Sequence, residues 1–155
     1  MDLQLVSCMG MPGGGRAQIS NRILSQFHVI NYTVPDEKSM NHIYKTIADV
    51  KFTNFSEEIK SLTDQVAQCT INLFNTLTEN LLPTPSKSHY IFNMRDISKV
   101  FEGLYEADAQ YYEGKEQLIK LWGHEILRVF YDRLINEDDQ KQLKKYLNDQ
   151  LEQHF

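Results

Sequence analysis

The stretch Leu82-Pro83-Thr84-Pro85-Ser86-Lys87-Ser88-His89-Tyr90-Ile91-Phe92-Asn93-Met94-Arg95-Asp96-Ile97-Ser98-Lys99-Val100-Phe101 organises the chain around it. It reads as a rigid Pro-punctuated loop, a short apolar strand from Tyr90 to Phe92, and then a helix. Pro83 and Pro85 disfavour helical backbone in the residues before them, so the helical pattern upstream must stop near Leu81 or Leu82. Asn93 has the side chain of an N-cap, an oxygen able to accept from the free amides of Arg95 or Asp96. Asp96 falls in the first turn, where the helix dipole favours a carboxylate. Ile97, Val100, Phe101 and Leu104 follow at i, i+3, i+4 and i+7, one apolar stripe. Arg95 is thereby held in the first turn of a well-anchored helix, from which a cation can be aimed outside the small domain.

Working outward, the same periodicity recurs on both sides. Phe55, Ile59, Leu62, Val66, Cys69, Leu73, Leu77 and Leu81 step by three or four through the longest predicted helix, about 55–81. Before it, Asp36 or Ser39 starts a helix through about Val50, with Met40, Ile43, Tyr44 and Ile47 on one face. After the central helix, which ends near Ala107, Gly114 punctuates the chain. A helical pattern then carries Leu118, Leu121, Trp122, Ile126, Val129, Phe130 and Leu134. Asn136 caps a last, highly charged segment with a thin apolar seam of Leu143, Tyr146, Leu147 and Leu151, a solvated or partner-covered helix.

The N-terminal third is different in kind. Leu3 to Cys8 is short, apolar and followed by glycine, and reads as a buried strand. His28 to Thr33 is a second strand candidate, and Ser20 caps a short helix, Asn21 to Gln26, between them. A parallel sheet needs further strands and cover on both faces. Two strands alone point to a piece of a larger α/β domain. The glycines of Gly10-Met11-Pro12-Gly13-Gly14-Gly15-Arg16 suggest either a surface turn or a ligand loop. A phosphate-binding P-loop requires G-x-x-x-x-G-K-[ST], and no lysine follows here.

Composition bounds the function. The 155 residues suffice for one ordinary domain, or one small domain with part of another, and 41% apolar with 24% charged residues fits a globular chain. A net charge of −5 and a pI near 5.5 argue against a nucleic-acid footprint. No run of eighteen apolar residues spans a membrane, and Met1-Asp2 does not open a signal peptide. Cys8 and Cys69, in apolar contexts far apart, read as two buried thiols of a reducing compartment. His124-Glu125 lacks the second histidine of H-E-x-x-H, since position 128 is Arg128, and no zinc or other metal site follows. No nucleophile–base pair or carboxylate dyad emerges from spacing, so no catalytic residue is assigned. With neither a Walker A lysine nor a Walker B Asp-Glu, the chain alone is not expected to hydrolyse ATP.

The run "LLPTPSKSHYIFNMRDISKVFEG", with "SCMGMPGGGRAQISNRILSQF" before it and "LWGHEILRVFYDRLINEDD" after it, resembles the third AAA+ module of dynein heavy chains, axonemal type most closely. The three runs stand in the family's order and span most of the chain. The resemblance implies a mainly α fold: a helical AAA+ lid bundle preceded by two strands and a short helix left over from an incomplete α/β large subdomain. It implies that residues 1–35 are the C-terminal remnant of that large subdomain, 36–135 the helical lid, and 136–155 a helical linker towards the next module. It further implies that Arg95 of "FNMRD" is the sensor 2 arginine, which touches nucleotide phosphate. Gly10 stands at the sensor 1 position, without a side chain to serve it. Arg22 stands where an arginine finger reaches a neighbouring module, although a solvated surface arginine fits it too. Also implied are ATP or ADP with Mg in the intact module, but no cofactor for this piece alone. The implied partners are the rest of the heavy-chain ring and, through the parent motor, microtubules and dynein intermediate and light chains, in the cytoskeleton of a cilium or flagellum axoneme; neither nucleic acid nor membrane is among them. A free-standing helical interaction module, or the product of a truncated gene, is the alternative.

Overall fold

In the computed structural model, residues 3–10, 17–112 and 114–155 are described, and they divide into two units, residues 1–34 and 35–155. The glycine triplet Gly13-Gly14-Gly15 lies outside the described residues.

The second unit is a bundle of five helices: α2 Glu37–Lys51, α3 Glu57–Asn80, α4 Met94–Tyr105, α5 Lys115–Val129 and α6 Glu137–His154. Short 3-10 turns at Phe52–Asn54, Pro85–Lys87 and Tyr131–Arg133 join them. Side-chain caps open α2 and α4, whereas Ser20 before the short helix Asn21–Leu24 makes no side-chain cap bond. Asp36 accepts from the Ser39 amide at 3.0 Å to open α2. At Asn93 a reciprocal capping box opens α4: Asn93 Oδ1 accepts from the Arg95 amide at 2.9 Å, and Asp96 Oδ2 accepts from the Asn93 amide at 3.0 Å. The α3 helix stops at Asn80, just before the two prolines. Asn136 precedes α6 but makes no side-chain cap bond there.

The long α3 helix supplies the spine of the core, since every apolar residue expected on its stripe from Phe55 to Leu81 is buried. Helices α2, α4, α5 and α6 all pack against it. Trp122 of α5 is completely buried and donates from Nε1 to Thr70 Oγ1 of α3 at 2.8 Å. Thr70 Oγ1 in turn donates to the Val66 carbonyl at 2.7 Å, so the polar atoms of this buried pair are satisfied. Tyr44 of α2 stacks on Phe101 of α4 with ring centroids 4.8 Å apart, and its hydroxyl meets the Met94 carbonyl and Ser98 Oγ. Helix α6 joins the same core through Leu143 and Leu147.

At Gly103 of α4 the Glu125 side chain of α5 occupies the space that a Cβ would take. Glu125 is buried and cannot swing away freely, because Arg128 Nε donates to it at 2.8 Å and the same guanidinium reaches the Lys99 carbonyl on α4. Gly103→Ala is expected to destabilise the bundle by about 2 kcal/mol in urea denaturation. Glu125→Ala in the same chain should recover most of that loss.

Three expectations are corrected here. Neither Leu3–Cys8 nor His28–Thr33 forms a strand among the described residues. The physical reason is that a strand is defined by a partner, and these have none; Leu3, Leu5, Val6, Val29, Ile30 and Tyr32 are all exposed. Among the described residues, the only element of the first unit is the short helix α1, Asn21–Leu24. Tyr90–Phe92 is not a strand either, although its side chains alternate as a strand's would, with Tyr90 and Phe92 buried and Ile91 exposed. On α2 the buried face is Met40, Tyr44 and Ala48, while Ile43 and Ile47 are 42% and 48% exposed.

The cysteines also part company. Cys8 is exposed and Cys69 buried, and both are free. Burial pushes the Cys69 thiol up to about 12, so it stays protonated and unreactive. Ellman's reagent is expected to titrate one thiol in the native chain and the second only in denaturant; two fast thiols would contradict this packing.

Candidate nucleotide-sensing site

The site is built on the N-terminus of α4. Arg95 occupies the first turn, its amide held by Asn93, and its side chain is exposed with no hydrogen bond or ion pair among the described residues. The adjacent Asp96 behaves in the opposite way. It is buried, closes the capping box, and pairs through Oδ1 with Arg133 Nη1 at 2.9 Å. Arg95 pairs with neither Asp96 nor Glu102, and the carboxylate nearest in sequence is committed to a different arginine.

The loop leading into α4 is clasped to the start of α6. Tyr90 Oη donates to Asp139 Oδ2 at 2.9 Å and accepts from the Ile135 amide at 3.1 Å. Lys87 Nζ pairs with the same carboxylate at 2.6 Å. Burial works to raise the Asp139 pKa, but the bonds from Lys87 and Tyr90 outweigh it and hold the carboxyl below its usual value. Lys87 is correspondingly raised by its bond to Asp139. The loop is thus fixed by side chains rather than by a β-ladder.

The other two predicted positions lie in the first unit. Gly10 is exposed and lines a shallow hollow with Met9, Gln18, Ile19, Asn21 and Leu24. Arg22 is exposed on α1 and is not among the described lining residues of that hollow. Among the described residues no cluster of His, Cys, Asp and Glu could hold a metal ion, and no helix is long and apolar enough to cross a membrane.

Sequence reasoning missed Arg133, Asp139 and the role of Tyr90. All three act across large separations in sequence, where periodicity carries no signal. The one available hint was Asp96 itself, an acidic residue beside an apolar stripe, which when buried must find a cation.

The second unit is thus a helical bundle in which the capped first turn of α4 presents an exposed arginine. Comparison with known proteins supplies the family. Residues 36–140 match the family described as dynein heavy chain, ATPase lid domain, and residues 1–35 match P-loop containing dynein motor region. The chain is 42% identical over 154 residues to dynein axonemal heavy chain 2 of Mus musculus, covering 99% of this chain and 4% of that one. It is 37% identical over 150 residues to dynein-1-beta heavy chain, flagellar inner arm I1 complex, of Chlamydomonas reinhardtii, covering 97% and 3%. With dynein axonemal heavy chain 10 of Homo sapiens it shares 38% over 154 residues, covering 99% and 3%. The chain belongs to the dynein heavy chain family, and it spans about 4% of the length of the curated relatives it matches. Their names describe those relatives as axonemal or as part of a flagellar inner arm complex.

Proposed function

We propose that this chain is the C-terminal part of the third AAA+ module of an axonemal dynein heavy chain, the end of its large subdomain plus its lid, and that Arg95 is the sensor 2 arginine. The observation that carries this reading is the contrast at the start of α4: Asp96 is buried and paired, while the neighbouring guanidinium is exposed and unpaired on a rigid, capped turn. A guanidinium can contact phosphate oxygens bidentately and with fixed geometry, which an ammonium cannot.

On this reading residues 1–35 belong to the α/β large subdomain, and their exposed apolar side chains become strand faces once the remaining strands pair with them. Residues 36–135 are the lid and 136–155 lead towards the next module. Gly10 stands at the sensor 1 position with only backbone to offer. Arg22 is the candidate finger towards a neighbouring module. ATP or ADP with Mg binds in the intact module, the remainder of the ring is the direct partner, and microtubules with intermediate and light chains are reached through the parent motor in the axoneme. Nucleotide state is sensed at Arg95, and because α4 is packed into the bundle the lid turns as one body against the large subdomain.

The test is Arg95→Ala in the intact heavy chain, with binding of a fluorescent ADP analogue as readout. Loss of a charge-assisted contact predicts about tenfold weaker binding at this module, with stability little changed because the exposed side chain makes no hydrogen bond or ion pair among the described residues. Unchanged affinity together with unchanged motility removes the proposal. One observation favours the alternative of a separate helical interaction module: the exposed apolar row Ile43, Ile47 and Val50 on α2. A reading frame that continues on both sides in the genome decides for the motor.

A further inference from the structure

We propose that Arg133 is a positioning residue for Arg95, an inference that rests on the sensor reading of Arg95 given above. Arg133 sits in the 3-10 turn after α5 and grips the segment that carries Arg95 on both sides. Downstream, its Nη1 pairs with Asp96 Oδ1 at 2.9 Å. Upstream, its Nη2 donates to the Ile91 carbonyl at 3.0 Å and the His89 carbonyl at 3.3 Å. Its guanidinium lies over the Phe92 ring, 5.0 Å from the centroid. His89 Nε2 returns the contact, 3.1 Å from the Arg133 carbonyl oxygen.

These contacts occupy residues 89, 91, 92 and 96 and leave Arg95 alone. The effect is to fix the backbone from which Arg95 projects while its own side chain stays unpaired. The arrangement needs an arginine. Several donors in one plane serve a carboxylate and two carbonyls at once, and the same plane stacks on an aromatic ring. It also joins the sensing turn directly to the end of α5, so a push on Arg95 is delivered to the α5–α6 side of the bundle as well as along α4.

The experiment is a double-mutant cycle in the intact heavy chain, with binding of a fluorescent ADP analogue measured for Arg133→Gln, Arg95→Ala and the pair. If Arg133 acts through Arg95, Arg133→Gln weakens binding about fivefold when Arg95 is present and changes it by less than about 1.5-fold when Arg95 is absent. Arg133→Lys keeps the charge but not the fork, folds more readily, and is run through the same cycle; a loss confined to the Arg95 background supports the proposal. A loss of equal size in both backgrounds, or none in either, overturns the positioning role and leaves Arg95 as sensor. If Arg95→Ala alone leaves binding unchanged, the sensor reading falls and this inference falls with it.

Discussion

Trp122→Ala is expected to cost the bundle about 3–5 kcal/mol, the largest loss from any single truncation here. Trp122 is completely buried against α3, and it carries the largest fully buried side chain of the core. Its removal leaves a cavity between α3, α5 and the C-terminal end of α6, where Phe155 lies 5.8 Å from its ring. The polar part of the cost is small. Thr70 still donates to the Val66 carbonyl when the indole is gone, so no buried donor is orphaned. Trp122→Phe should therefore recover more than half of the loss. Urea denaturation followed by circular dichroism checks both values, and a loss below about 1 kcal/mol for the alanine variant would contradict the packing described.

Asp96→Ala comes second, at about 2–3 kcal/mol. Two separable contributions are removed. The first is the cap on the Asn93 amide, worth about 1 kcal/mol. The second is the buried partner of Arg133; because Arg133 is itself partly exposed, it can rehydrate, and the full penalty of a stranded buried charge does not apply. Asp96→Asn keeps an oxygen for the Asn93 amide and is expected to lose about half as much. Equal losses for the two variants would mean the cap contributes nothing.

Most of the bundle was legible because its signals are local. Proline marks the end of α3, Asn93 with Asp96 marks the start of α4, and a three-four step marks the buried stripe of each. Legibility failed where the deciding partner is distant or missing. Ile43 and Ile47 fit a helical stripe, but α2 buries only the face defined by Met40, Tyr44 and Ala48, and periodicity does not say how wide the contact is. The two N-terminal segments have strand composition, and composition cannot supply the neighbours that make a strand. Cys8 was expected to be buried for the same reason and is exposed without them. At the site, the sequence pointed to Arg95 and to its cap. It could not reveal that Arg133 and Asp139 hold the segment, because neither lies within a helical turn of the residues it binds.

The central claim is that the Arg95 guanidinium faces a nucleotide phosphate. A cryo-electron microscopy map of the parent heavy chain with ADP bound at this module tests it most directly. The account predicts Arg95 nitrogen atoms within about 2.7–3.2 Å of phosphate oxygens, with Asp96 still paired to Arg133. An Arg95 side chain lying in bulk solvent, or paired with a protein carboxylate while the nucleotide is in place, would contradict it.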